Sequence, residues 1–368
     1  MRVLVVNAGS SSLKLTRLAD DGAVTSAVTV NGWEGAGHLQ PLARFLETCG
    51  PVEAVGHRVV HGGPRHTGAA VVDDLLVAYL YSISHLAPLH NPRALAGIRS
   101  VRELLPDVPA VAAFDTGFHA TLPPAAATYA LPREWNERWR LRRYGFHGLS
   151  HAYATQRAAE IVGRPAGDLR IVSCHLGAGA SLAAVRGGAS VDTTMGFTPL
   201  AGLVMNTRPG TVDPGLVLWL LEHGDVPLPE LGDVLEHHAG LKGLSGTSGD
   251  LRDVLAGRAA GDGACRLAFD VYVHRLVREA AAMTAAAGGL DLLVLTGGVG
   301  EHAWEVRTAL AEGLTHLGVA LDADLNRVTT ADADIGVPGA PVRTVVVTAR
   351  EDLEIRRQVL AVLGVPPS

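Results

Sequence analysis

The sequence predicts an α/β fold made of two similar domains, and three observations point to it. The first is an apolar run, Met1 to Val6, broken only by Arg2, that opens into Asn7-Ala8-Gly9-Ser10-Ser11-Ser12-Leu13-Lys14. The second is its echo: Leu169 to Cys174 opens into His175-Leu176-Gly177-Ala178-Gly179-Ala180-Ser181 and continues as Leu182-Ala183-Ala184-Val185. Two strand–turn–strand units with matching turns, far apart in the chain, indicate an internal duplication. The third is length: 368 residues exceed one ordinary core and suit two domains.

Along the chain, residues 1–30 read as β-hairpin material. Residues 40–57 read as a helix followed by a short strand, Val52 to Gly56, and His57 to Gly68 as a polar, glycine-rich loop. Val71 to Ser100 is helical, interrupted at Pro88 and Pro92. Pro109 to Phe114 is a short buried strand ending at Asp115, where side chains of an open α/β sheet project toward a ligand. After a connector marked by Pro123-Pro124 and Pro132, Ser150 to Val162 is a helix with Ser150 as its cap. The second half opens with the echo hairpin. Residues 264–287 form a long amphipathic helix stopped by Gly288-Gly289. Leu290 to Leu295 is a buried strand, followed by a glycine turn, Thr296 to His302, and a helix from Trp304 to Leu317. Val342 to Val347 is the last strand and Asp352 to Leu363 the last helix.

Composition narrows the function. Apolar residues make up 48% of the chain and charged ones 18%, which is the balance of a packed globular protein. The net charge of −6 disfavours nucleic acid and anionic membranes as partners. Lys14 and Lys242 are the only lysines, so nearly all positive charge is arginine, which suits bidentate recognition of anions. Cys49, Cys174 and Cys265 are widely spaced with no CxxC pair, which fits reduced thiols in the cytoplasm. No secretory leader and no apolar run of membrane-spanning length is expected.

The chemistry is dispersed. No Gly-Lys phosphate loop, GxSxG or HExxH occurs, which removes the commonest ATPase, hydrolase and metalloprotease readings. The pairs His57/His61 and His147/His151 stand at i, i+4 but are read as incidental, not as zinc ligands. Small, hydroxyl-bearing turns followed by a cation suit phosphate: glycine admits close approach, N–H and O–H groups donate, and Lys14 adds charge. Arg58 and Arg208 stand in glycine-bearing segments, Asp115 at a strand end, and His147 between Gly145 and Gly148. Each alone reads as a loop anchor. Together with two phosphate-facing hairpins they are the parts needed to pass a phosphoryl group to an anionic acceptor.

These blocks carry a resemblance. The chain resembles the acetokinase family, of the acetate-kinase/sugar-kinase/Hsp70/actin superfold. The likeness runs through Asn7–Lys14, His57–Gly63, Ala87–Pro92, Phe114–Thr116, Tyr144–His151, His175–Ser181, Asp192–Leu200, Thr207-Arg208, Gly297–His302 and Arg350–Asp352. It implies two duplicated actin-like, ribonuclease H-like domains with an interdomain cleft, one of residues 1–148 plus 350–368 and one of residues 149–349. It implies reversible transfer of the ATP γ-phosphoryl group to the carboxylate of acetate, giving acetyl phosphate and ADP. Mg²⁺ is the expected cofactor, with Mn²⁺ as an alternative, held by Asn7 and Glu351. Arg58, Asp115, His147 and Arg208 would be catalytic. Arg58, Val60, Leu89, Phe146 and Pro199 would bind acetate and its methyl group. Lys14, Ser10 and Ser12 would meet the phosphates, as would His175, Leu176, Gly177, Ala178 and Gly179. Asp250, Leu251 and Arg252, with Gly298, Val299, Gly300, Glu301 and His302, would frame the nucleotide. A homodimer in the cytoplasm is implied as well.

The chain departs from the family pattern at several places. Ala178 stands where asparagine is usual, Thr211 where aspartate is, His302 where asparagine is, and Arg350 where a smaller polar residue is. The stretch between Lys14 and Arg58 is short. Three other readings accompany the main one: a propionate or butyrate kinase, a pyrophosphate-linked variant, and a nucleotide-dependent sensor without turnover.

Overall fold

The computed structural model describes residues 1–9, 12–33 and 39–366, in two compact units. One unit comprises residues 1–120, 146–153 and 350–368; the other comprises residues 121–145 and 154–349.

The first unit is built on a six-stranded sheet. Its strands are β1 (Val3–Ala8), β2 (Ser12–Leu18), β3 (Val24–Asn31), β4 (Ala54–Val59), β5 (Ala70–Val71) and β6 (Ala110–Phe114), in the order β3-β2-β1-β4-β6-β5. β1, β4 and β6 run parallel, while β2, β3 and β5 are antiparallel to their neighbours. One face carries Leu4, Val6, Ala8 and Val55 against Leu42, Phe45 and Val101, from helices Leu39–Cys49 and Asn91–Leu104. The opposite face carries Val3, Val5, Ala54, Val111 and Ala113 against Ile355 and Val359 of helix Glu351–Val362. The central strands are apolar on both faces because helices cover both.

The second unit repeats this order. Its strands are β7 (Arg170–Leu176), β8 (Ala180–Arg186), β9 (Ala189–Thr193), β10 (Leu292–Thr296), β11 (Ala333–Asp334) and β12 (Arg343–Val346), ordered β11-β12-β10-β7-β8-β9. β7, β10 and β12 are parallel, and β8, β9 and β11 are antiparallel to their neighbours. Read from the hairpin edge, both sheets follow one plan: two antiparallel strands, three parallel strands, one antiparallel edge. The duplication seen in the two hairpins therefore extends across each sheet. Helix Gly263–Ala287 buries Phe269, Tyr272, Leu276, Ala280 and Met283 along one stripe, and Asp262 caps it by accepting from the Cys265 N–H at 2.8 Å.

Four expectations are corrected. His57 and Arg58 are not in a loop but on β4, held between β1 and β6, where two polar residues interrupt an otherwise apolar strand. Helix Gly148–Ile161 begins two residues before Ser150, which is buried within its first turn and is not its cap. Thr296–His302 is not a turn: helix Gly297–His302 follows β10 directly. Buried Arg307 donates to the carbonyls of Gly300 at 3.0 Å and Glu301 at 2.5 Å, satisfying the end of that short helix. Pro92 also sits in the first turn of helix Asn91–Leu104, where proline costs nothing, so it starts a helix instead of breaking one.

Two predictions arise here. Gly56 on β4 lies under helix Glu351–Val362, and a Cβ there would overlap Ile355 and come within 2.9 Å of Val359. Gly56→Ala is expected to cost about 1–3 kcal/mol by overpacking, read as a lower thermal unfolding midpoint. On the other face of β4, burial lowers His57 to about 3. Burial, with a smaller contribution from His85, lowers His61 to about 4. Both stay neutral in the fold while the unfolded chain takes protons below about pH 6.5. Their stabilisation is thus complete above that pH and is lost as pH falls toward the folded values. Denaturant unfolding should lose about 1.4 kcal/mol per pH unit per histidine between about pH 6 and pH 5. His57→Phe should remove roughly half of that slope; an unchanged slope would show that other groups carry it.

Candidate active site

Sheet register assembles the site of the first unit. Lys14 pairs with Asn7, Asn7 with Arg58, and Arg58 with Ala113, so these residues form one row across β2, β1, β4 and β6. Directly paired residues share a face of the sheet. Asp115 lies two residues beyond Ala113, where the alternation continued past the strand end returns to that same face. Val3, Val5, Ala54, Val111 and Ala113 form the apolar part of the face. At the C-terminal ends of the parallel strands it turns polar as Asn7, Arg58 and Asp115. Helix Glu351–Val362 covers the apolar part and brings Glu351 to the polar end.

The side chains close this arrangement. Arg58 donates from Nε to Asp115 Oδ1 at 3.0 Å and from Nη2 to Oδ2 at 2.6 Å, a bidentate pair. Its Nη1 donates to Asn7 Oδ1 at 3.2 Å, and Glu351 Oε2 stands 3.9 Å from its Nε. Asp115 is only 1% exposed. Burial pushes its carboxyl above the ordinary range while Arg58 pulls it back. Burial also works against the Arg58 charge, but Asp115 and Glu351 override it and hold the guanidinium above its ordinary value. Lys14 is exposed and Ser12 half-buried on β2; Ser10 lies outside the described residues.

His147 stands beside this cluster in an unusual backbone state. Its φ is +57°, in the left-handed region, which costs a non-glycine residue about 1–2 kcal/mol. Such strain gathers at functional sites. The next residue, Gly148, donates its N–H to the Asp115 carbonyl at 2.8 Å, and a Cβ there would collide with that oxygen. Glycine is required because the helix start rests directly on the Asp115 backbone. Val60 and Phe146 are buried, and the rings of Phe146 and His61 meet edge-on at 5.6 Å. Leu89, expected with them, is 43% exposed.

In the second unit, His175 occupies the position that Asn7 holds in the first, paired with Ser181 and with Thr296. Leu176 is buried and ends β7, while Gly177, Ala178 and Gly179 make the turn, in which Gly177 N–H meets the Gly179 carbonyl at 3.1 Å. Ala178 is exposed, and its carbonyl accepts from Asn206 N–H at 3.1 Å. Arg208 donates from Nη1 to the Pro199 carbonyl at 2.9 Å. Burial lowers its guanidinium from the ordinary value, with Glu236 acting the other way. Gly298, Val299 and Gly300 lie on helix Gly297–His302, Glu301 is buried with Oε1 accepting from Ala349 N–H at 3.0 Å, and His302 is exposed. Asp250 caps helix Leu251–Ala259, whose first residue is buried, by accepting from Arg252 N–H at 2.9 Å. It also takes both arms of the Arg252 guanidinium, and this bonding lowers its carboxyl.

Residues 38–357 match the model of the acetokinase family. The acetate kinase of Nostoc punctiforme is 40% identical over 99% of this chain and all of that protein. The chain belongs to the acetokinase family. Among solved structures, Porphyromonas gingivalis acetate kinase superposes with a TM-score of 0.91 at 32% identity, covering 98% of this chain and 99% of that one. A propionate kinase from Francisella tularensis gives 0.90 at 31% identity, with 98% and 99% covered. The fold is accordingly that of two actin-like domains, each carrying one of the two sheets described.

Asn7, Arg58, Asp115, His147 and Glu351, expected together, are all found in the first unit, and Arg208 with Pro199 in the second. The bonds made by two further residues carried no sequence signal. Thr211 donates its N–H to the Gly202 carbonyl and accepts the Gly202 N–H with Oγ1, each at 3.0 Å, and so ties down the segment bearing Arg208. Asn91 bonds both backbone groups of His61, at 3.1 and 3.0 Å. Both act on backbone groups distant in sequence, which no local pattern reveals.

Proposed function

We propose that this chain catalyses reversible transfer of the ATP γ-phosphoryl group to the carboxylate of acetate, giving acetyl phosphate and ADP. The observation that carries the reading is the row Lys14–Asn7–Arg58 with Asp115 clamping Arg58 in a bidentate pair. A cation oriented in this way meets two anions that otherwise repel, and it needs no reorganisation during reaction. Arg58 neutralises the acceptor carboxylate and a γ-phosphoryl oxygen. Arg208 supplies a second cation, and His147 donates to an equatorial oxygen of the transferring group. The 175–179 hairpin offers backbone N–H groups, and Lys14 charge, to the remaining phosphates. The carboxylate oxygen attacks phosphorus as the bond to the ADP oxygen breaks, with no covalent enzyme intermediate.

Asn7 Oδ1 and the Glu351 carboxylate are hard oxygen donors, both within 4 Å of Arg58, and they suit Mg²⁺ better than a softer ion. Among the described residues no three His, Cys, Asp or Glu gather to hold a metal, which fits an ion that keeps waters and phosphate oxygens as ligands. Bound there, Mg²⁺ would screen phosphate charge.

The structural likeness to a propionate kinase supports a second reading, a preference for propionate. One methylene is worth about 1–3 kcal/mol, so the two substrates overlap. ADP release measured with acetate, propionate and butyrate tests the choice. The highest kcat/KM is expected with acetate, and a propionate optimum would reverse the assignment. The reading includes a homodimer, supported by the exposed Leu216, Leu218 and Trp219 of helix Pro214–His223. Light scattering should return twice the chain mass. The unbridged, buried Cys49, Cys174 and Cys265 support the cytoplasm as its compartment, and no helix among the described residues is long and apolar enough to cross a membrane.

A further inference from the structure

The phosphotransfer reading gives His147 a role but leaves open what holds it in a left-handed conformation. The φ and ψ angles of His147 relate two peptide planes. The plane that follows it is pinned at both ends. Gly148 N–H donates to the Asp115 carbonyl at 2.8 Å, and the His147 carbonyl accepts from His151 N–H at 2.9 Å. The plane that precedes it carries the Phe146 carbonyl, and His119 Nε2 lies 3.0 Å from that oxygen. A carbonyl only accepts, so Nε2 carries the proton and donates. His119 is itself fixed: its side chain is fully buried, its N–H meets the Thr116 carbonyl at 3.3 Å, and its ring lies edge-on to His151 at 5.8 Å.

We propose that His119 is a positioning residue, which through its Nε2–H bond to the Phe146 carbonyl sets the backbone of His147 for phosphoryl transfer. It touches no reacting group. Asp115 then serves twice: its side chain orients Arg58, and its carbonyl holds Gly148. His119 completes the frame from the other side. The inference rests on the phosphotransfer reading and on the role given to His147 there.

The test compares wild type with His119→Phe, which keeps a ring but loses the donor, and with His119→Gln, whose side-chain amide restores one. His119→Phe is expected to lower kcat about tenfold to a hundredfold, the scale of a misplaced catalytic group, with KM for acetate and ATP within about twofold. His119→Gln should recover most of that loss. In a His147→Ala background, His119→Phe should change kcat by less than about twofold, since the two act as one unit. Equal losses in both backgrounds, or no recovery with Gln, would overturn the proposal. Should His119→Phe fold poorly, His119→Met fills the space with a flexible chain that has no N–H and carries the same comparison. A crystal structure of the donorless variant gives a readout independent of turnover: His147 should leave its positive φ, and retention of it would contradict the proposal. Absence of acyl phosphate synthesis by wild type would instead sink the phosphotransfer reading, with the positioning claim then decided by that structure.

Discussion

Arg58→Ala is expected to lower kcat by at least about a hundredfold to a thousandfold, the usual loss when an oriented charge stabiliser is removed. Two effects combine. The acceptor carboxylate loses the cation that screens it from the γ-phosphate. Asp115, 1% exposed, also loses the partner that bonds both its oxygens. Breaking a buried pair from one side costs about 3–5 kcal/mol of stability, so the unfolding midpoint should fall as well. Arg58→Lys should not restore turnover, because an ammonium cannot span both Asp115 oxygens and still reach Asn7. Steady-state kinetics beside thermal unfolding check both effects. A folded Arg58→Ala protein with kcat within tenfold of wild type would remove Arg58 from the mechanism.

Arg208→Ala is expected to lose about as much rate, a hundredfold to a thousandfold, with far less loss of stability. The difference lies in how each arginine is held. Arg58 is held in place by a bidentate pair with Asp115, whereas the hydrogen bond shown for Arg208 is to a neutral acceptor, the Pro199 carbonyl at 2.9 Å. Burial lowers its guanidinium against the pull of Glu236, so the charge of Arg208 is costly to keep in the folded chain and suits an anionic ligand. Removing it should relieve that cost while abolishing its contribution to the transition state. A large drop in unfolding midpoint with kcat near wild type would mark Arg208 as a structural residue only.

The plan of the fold was legible wherever hydrophobic pattern and turn chemistry agree. Both hairpins, the buried strands before Asp115 and Thr296, and the long helix ended by Gly288 are all where that pattern predicts them. It failed where function or tertiary bonding overrides local preference. His57-Arg58 breaks an apolar run, so the C-terminal half of β4 read as loop; the polar residues are there because the strand end carries chemistry. Gly297–His302 read as a turn because three of its six residues are glycine, yet Arg307 supplies the donors that let it end as a helix. The stretch 214–259 has no strong single periodicity, and its several short helices carried no expectation. Within the site, Arg58, Asp115 and His147 could be singled out from residue type and glycine context. Their mutual geometry follows from sheet register, and the support given by His119, Asn91 and Thr211 comes through backbone groups that side-chain chemistry does not advertise.

The most direct measurement is hydroxylamine trapping of acyl phosphate by the purified chain with Mg²⁺ and ATP, run in parallel with acetate, propionate and butyrate and with pyrophosphate replacing ATP. Rapid hydroxamate formation is expected with acetate and ATP, falling with longer acyl chains and absent with pyrophosphate. Signal with pyrophosphate alone would contradict the assignment of the donor, and ATP binding without any hydroxamate would contradict phosphotransfer itself and favour a nucleotide sensor.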